Sequence, residues 1–159
     1  MVNTYFRNKL IFTGTPETLT ALVAKLETTD KDPINFNKII PLNDDRSDME
    51  EKWGISADPE ELDWVLYHNQ TILEYSFDTE GAIPLPIFKK LAETYPEYAM
   101  KVNYASDDYG EDCGIYESPE GSSELEAKEP DDPFVFGCEI WDRDPDEEMQ
   151  ERMINAYEE

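Results

Sequence analysis

Apolar residues in this chain recur with two alternating periods, and that alternation restricts the fold more than any other feature. Over residues 4–13 the period is two: Phe6, Leu10 and Phe12 fall on one side, Tyr5 and Ile11 on the other, as in a strand. Gly14-Thr15-Pro16 then turns into a helix, with Thr15 capping the first amides and Pro16 placed where a missing N–H is harmless. Leu19, Leu22, Val23 and Leu26 mark its apolar stripe, and the helix is expected to end near Thr28-Thr29-Asp30. Residues 62–67 and 71–77 read as a hairpin around His68-Asn69-Gln70, with Leu73, Tyr75 and Phe77 on one face. Pro86 opens a second helix along Ile87, Phe88, Leu91, Ala92 and Tyr95, and Pro96 stops it. Tyr98, Met100, Val102 and Tyr104 alternate in a further strand. The chain is therefore α+β, and through residue 106 its order is β-α-β-β-α-β. That is the ferredoxin-like split βαβ order, an antiparallel sheet with both helices on one face. The fold hosts many unrelated functions, so function has to come from the residues.

Two stretches depart from this rhythm. Residues 30–60 form an insertion after the first helix, broken by Pro33, Pro41 and Pro59, in which Phe36-Asn37-Lys38-Ile39-Ile40-Pro41-Leu42 reads as a buried extended segment. Beyond the turn Asp107-Asp108-Tyr109-Gly110, a short strand is expected around residues 113–116 and a flexible acidic linker over 117–133. A last apolar strand follows over 134–141. Asp144-Pro145-Asp146-Glu147 has the pattern of a capping box and starts a helix with Met149, Met153, Ala156 and Tyr157 on one face. The expected division is a core of residues 1–118 and an acidic strand-helix arm, 119–159, packed on it or flanking it. Of the three tryptophans, Trp64 lies in a strand and reads as core, whereas Trp53 and Trp141 border charged segments and read as interface anchors.

Charge then narrows the partners. The 159 residues hold 38 acidic and 13 basic side chains, a net of −25 with the single His neutral. Residues 107–159 alone hold 20 acidic and 3 basic ones, a net of −17. At 12% aromatic the chain is too rich in core formers to be a disordered acidic tail. Phosphates are held by Lys and Arg, so direct nucleic-acid binding and an anionic membrane surface are both disfavoured. Basic partners are favoured; plain solubility and adaptation to high salt explain the same excess and stay open. The N-terminus has no signal-peptide pattern, and no stretch approaches the about 20 apolar residues of a membrane span. Cys113 and Cys138 are then expected as reduced thiols in the cytoplasm.

Catalytic arrangements fail one by one. His68 is the only histidine, so a Ser-His-Asp or Cys-His set would hang on one turn residue, which reads as solvent-exposed. Cys113, Cys138 and His68 lack the paired spacing of a zinc site. Asp142, Asp144 and Asp146 imitate the first ligands of an EF-hand loop, but Glu147 and Met153 stand where Gly and Glu are required. Asp107, Asp108, Glu111 and Asp112 around a Gly turn read as a solvated hairpin tip ahead of a loose cation site. There is no phosphate loop or dinucleotide fingerprint. No catalytic residue, metal or cofactor is expected.

Several spaced motifs carry a resemblance. They are Asn8-Lys9-Leu10-Ile11-Phe12-Thr13-Gly14, Phe36-Asn37-Lys38-Ile39-Ile40-Pro41, Trp53-Gly54, Tyr75-Ser76-Phe77-Asp78-Thr79 leading to Pro84-Leu85-Pro86, Tyr95-Pro96, and a Gly110…Gly114 hairpin. In this order, over roughly residues 3–118, the chain resembles the YubB-type family of phage, plasmid and pathogenicity-island proteins with a ferredoxin-like domain. Glu80-Gly81-Ala82-Ile83 replaces a tryptophan-bearing stretch usual there. The resemblance implies the fold and a mobile-element origin, and brings no catalytic residues with it.

Two functions are expected from this combination. The first is a non-enzymatic mobile-element protein whose acidic surface imitates nucleic acid and inhibits a host nucleic-acid-binding defence protein, such as a CRISPR or restriction nuclease. Its carriers would be Asp107, Asp108, Glu111, Asp112, Glu124, Glu126, Glu129, Asp131, Asp132, Asp142, Asp144, Asp146, Glu147, Glu148 and Glu151, with Trp141 as apolar anchor. The second is a structural or assembly module, monomer or homodimer, whose acidity serves solubility or high salt.

Overall fold

The period-two run at the start of the chain becomes the middle of a sheet. In the computed structural model, which describes residues 4–27 and 32–158, β1 (Tyr5–Thr13) alternates with Phe6, Asn8, Leu10 and Phe12 buried. It pairs antiparallel with β3 (Ile72–Glu80) on one side and β4 (Ala99–Ser106) on the other. β2 (Glu60–Tyr67) lies outside β3, and β5 (Cys113–Ser118) and β6 (Glu126–Lys128) extend the sheet beyond β4. The order is β2-β3-β1-β4-β5-β6, with every pairing antiparallel. The fold is thus α+β, with a six-stranded antiparallel sheet and six helices among the described residues.

Helices α1 (Pro16–Leu26) and α4 (Leu85–Thr94) cover one face of the sheet. Leu19, Leu22 and Leu26 of α1 and Ile87, Phe88, Leu91 and Ala92 of α4 join Leu10, Phe12, Leu73, Tyr75, Phe77, Met100 and Val102 in one core. Thr15 caps α1 as expected, with Thr18 returning the bond to its backbone. The helix stops at Leu26; the stop expected near residues 28–30 falls outside the described residues. The hairpin turn is as expected too: His68, Asn69 and Gln70 all take positive φ, and His68 is exposed.

Four expectations are corrected. The insertion holds two short helices, α2 (Phe36–Ile39) and α3 (Met49–Trp53), where an extended segment was expected over 36–42. The Asn35 side chain accepts from the Lys38 amide and so starts the turn. The tryptophan roles of 53 and 64 are exchanged. Trp53 is 2% exposed, edge-on to Phe36 at 5.5 Å, and donates from Nε1 to the Ile40 carbonyl at 2.8 Å. Trp64 lies on β2, the outermost strand of the sheet, and is 43% exposed. Residues 117–133 are no loose linker: Gly121 donates to the Pro96 carbonyl at 2.7 Å, and β6 pairs with β5. Where a strand was expected over 134–141, the structure has a helix, α5 (Pro133–Ile140), ending at Trp141, because Asp132 accepts from the Val135 amide and Pro133 sits in the first turn. The final helix, α6 (Pro145–Glu158), forms as expected, but its apolar side is uncovered, with Tyr157 95% exposed.

One core group is held against its interest. Among the described residues the Tyr75 hydroxyl is buried with no hydrogen-bond partner, and burial pushes its pKa well above the usual phenol value. An unsatisfied buried hydroxyl costs about 1–3 kcal/mol, so Tyr75→Phe is expected to raise the urea midpoint. The native protein keeps this proton where the unfolded chain releases it, at about pH 10. Stability therefore falls as pH rises past that value, and the variant's alkaline loss should be the shallower of the two.

Candidate acidic interface

The carboxylates expected to matter come from three separate stretches, and the structure brings two of them and part of the third to one corner. The β4–β5 turn is braced by Ser106, 1% exposed, whose hydroxyl donates within reach of the carbonyls of Asp108 (3.1 Å) and Glu111 (2.7 Å). Gly110 supplies a positive φ of 95°. Asp107, Asp108, Glu111 and Asp112 are all exposed, with the Asp107 carboxylate accepting from the Tyr5 amide at 3.4 Å.

Helix α5 lies on the sheet face turned away from α1 and α4. Its Gly137 lets it press on this turn: a Cβ there would sit 3.4 Å from the Gly110 nitrogen. Trp141 ends α5 half-buried. Its Nε1 donates to the Ala105 carbonyl at 3.1 Å, and the Arg7 guanidinium stacks 4.3 Å from its ring centre. Arg7 in turn forms a two-pronged pair with Asp78, at 2.9 and 3.2 Å. That bond, set against partial burial, holds the guanidinium pKa above its ordinary value. Trp141 is therefore pinned to the sheet, with part of its surface left open.

Asp142, exposed and in the left-handed region, leads into α6. Asp144 accepts from the amides of Asp146 (2.8 Å) and Glu147 (3.4 Å), so it serves as the helix cap. Asp146, Glu147 and Glu148 follow in the first turn, where the helix dipole favours negative charge. Arg152 reaches back from α6. It donates to the Tyr109 carbonyl, pairs with Asp108 at 3.5 Å and stacks on Phe134 at 4.6 Å. This tie spans 43 residues, and no local sequence signal announces it. Arg152→Ala is expected to speed amide hydrogen exchange through α6. As an exposed pair, Arg152–Asp108 should change global stability by less than about 1 kcal/mol.

The remaining stretch divides. Asp132 caps α5 and so joins the corner, with exposed Asp131 and Glu129 preceding it. Glu124 and Glu126 lie toward the opposite end of β6. There Glu126 faces Glu117, whose carboxylate is pulled below its usual pKa by hydrogen-bonded Lys128 and, less, by Lys101. Cys138 is buried and Cys113 half-buried; both are free thiols, and burial raises the pKa of each. No group of three or more His, Cys, Asp or Glu side chains among the described residues is arranged to hold a metal ion. No described helix is long and apolar enough to cross a membrane. Comparison with protein-family models, with curated proteins and with solved structures gives no match in any of the three.

Proposed function

We propose that this chain is a non-enzymatic binding protein of a phage or plasmid that imitates nucleic acid and inhibits a DNA- or RNA-binding defence protein in the host cytoplasm. The observation that carries the reading is the braced corner. The 107–112 turn, the end of α5 and the first turns of α6 are tied together by Ser106, Gly137 and Arg152. Carboxylates fixed on such a frame lose little freedom on docking, which a loose acidic tail would have to give up. Duplex DNA carries about one charge per 1.7 Å of axis, and a cationic groove built for it accepts a comparably dense, rigid polyanion. The contact surface is assigned to Asp107, Asp108, Glu111, Asp112, Asp142, Asp146, Glu147, Glu148 and Glu151, with the open side of Trp141.

The fold part of this reading is a ferredoxin-like core, residues 1–118, extended by the acidic arm. It is supported by the β2-β3-β1-β4 order and by α1 and α4 sharing one face. The YubB-type affiliation and the mobile-element origin rest on the motifs quoted above. A second reading, a self-associating assembly module, draws on the uncovered α6 face, where Met153 is 63% exposed. Sedimentation across a concentration series addresses it directly: a stable dimer abolished by Met153→Glu favours that module.

The test of the first reading mixes the protein with a panel of bacterial restriction and CRISPR nucleases across a salt series, following DNA loading and cleavage. Inhibition that weakens with salt is expected. Amide substitutions at Asp107, Asp108, Glu111, Asp142, Glu147 and Glu151 should relieve it. Asp144 is left intact because it caps α6. Substituting Glu124 and Glu126 should have the smaller effect. Absence of binding across the panel, or binding indifferent to these changes, sinks the proposal.

A further inference from the structure

The helical layer is narrower than the sheet. α1 and α4 cover the strands up to β4, while β5 and β6 run on past them on the same face. The register places Tyr104 of β4 and Tyr116 of β5 on that face, since Tyr116 pairs with fully buried Val102. Their rings stack at 5.9 Å with planes 21° apart, and Phe6 stands beside Tyr104 at 6.3 Å. Pro86 at the start of α4 and Ile83 before it close the other wall, leaving a cleft of about 540 Å³. Gly114 keeps it open: a Cβ there would meet the Tyr104 hydroxyl at 2.6 Å, so a side chain would drive that ring from its place.

The walls are apolar and aromatic, and among the described residues the one ionised side chain lining them is Asp112, at the rim and belonging to the acidic turn. An anionic ligand would meet that carboxylate and a chain of net charge −25. A cation would be drawn by both, and tyrosine faces attract cations through their π electrons. We propose that this cleft receives an arginine side chain from the basic partner. Its guanidinium lies flat on the Tyr116 face and hydrogen-bonds to Asp112, with the methylene stem against Pro86 and Ile83. Arginine suits the site better than lysine because its planar, weakly hydrated head stacks on rings and still donates at its edge. The inference rests on the reading that the partner is basic, and adds an anchoring pocket beside the carboxylate surface.

The probe is N-acetyl-arginine amide, titrated into the isotopically labelled full-length chain and followed by amide chemical shifts. Saturating shifts are expected at Ala82, Cys113, Gly114 and Tyr116. N-acetyl-citrulline amide, the neutral isostere, should bind about tenfold more weakly, since it loses the charge-assisted bond. Asp112→Asn should weaken the arginine probe by a similar factor. Asp112 has φ 44°, which asparagine tolerates, so that variant keeps the turn. Tyr116→Leu should remove the saturating shifts. Equal binding of citrulline, or shifts centred on residues 142–151 and unchanged in either variant, overturns the pocket. The probe involves no nuclease, so a saturable arginine site with a silent nuclease panel would sink the inhibitor reading alone. Nuclease inhibition with no response to the probe would sink the pocket alone.

Discussion

Phe77→Ala is expected to cost about 3–5 kcal/mol, a large share of the about 5–15 kcal/mol that keeps an ordinary domain folded. Phe77 is fully buried in β3, next to the centre of the sheet. It lies 5.4 Å from Phe36 of the insertion and 6.1 Å from Phe88 of α4. One ring therefore joins the sheet, the helical layer and the insertion. Its removal opens a cavity that none of the three can close without moving. Urea unfolding followed by tryptophan fluorescence reports this directly, because Trp53 is edge-on to the same Phe36. A loss below about 1 kcal/mol would mean that the insertion repacks freely, and this account of the core would be wrong.

Arg7→Ala is the second large effect, and it acts through charge. Asp78 is 7% exposed and has Arg7 as its two-pronged partner. Removing the guanidinium leaves a nearly buried carboxylate unpaired, which costs about 3 kcal/mol at the low end of the usual range. The low end applies because the Arg7 side chain is itself 25% exposed. Trp141 loses its stacking partner at the same time, so α5 should loosen along with the sheet. The double variant Arg7→Ala/Asp78→Ala should recover much of the loss, since the penalty belongs to the orphaned charge. Differential scanning calorimetry of the single and double variants, with exchange measured at the Trp141 indole, separates the terms. A double variant no more stable than Arg7→Ala would refute the charge explanation.

Legibility followed the range of the interactions. Thr15-Pro16 and the stripe Leu19, Leu22, Val23, Leu26 predict α1 because capping and periodicity act within a few residues. The alternation in β1, β3 and β4 was readable for the same reason. The run Phe134-Val135-Phe136-Gly137-Cys138 is apolar throughout, so its period could not tell strand from helix. The deciding signal was the preceding Asp132-Pro133, a cap and a first-turn proline. The sequence misreads Trp53 and Trp64 because neighbours in sequence say little about neighbours in space. Charged residues flank Trp53, yet it fills the core, while Trp64 sits beside Val65 and Leu66 on β2, the outermost strand, and is 43% exposed.

For the acidic surface the division is similar. The charge imbalance, its concentration after residue 106 and the presence of a single histidine are properties of composition and needed no coordinates. Which carboxylates share a surface was a tertiary matter. It depended on Arg152 reaching the 107–112 turn, on the close approach of Gly137, and on β6 and the segment leading into it placing Glu124 and Glu126 elsewhere. The cleft at Tyr104 and Tyr116 exists only because two strands extend past the helices. Local periodicity and capping thus determined what the elements are. Pairing and packing between residues tens of positions apart decided where they sit, because those contacts gain their energy only when distant surfaces meet.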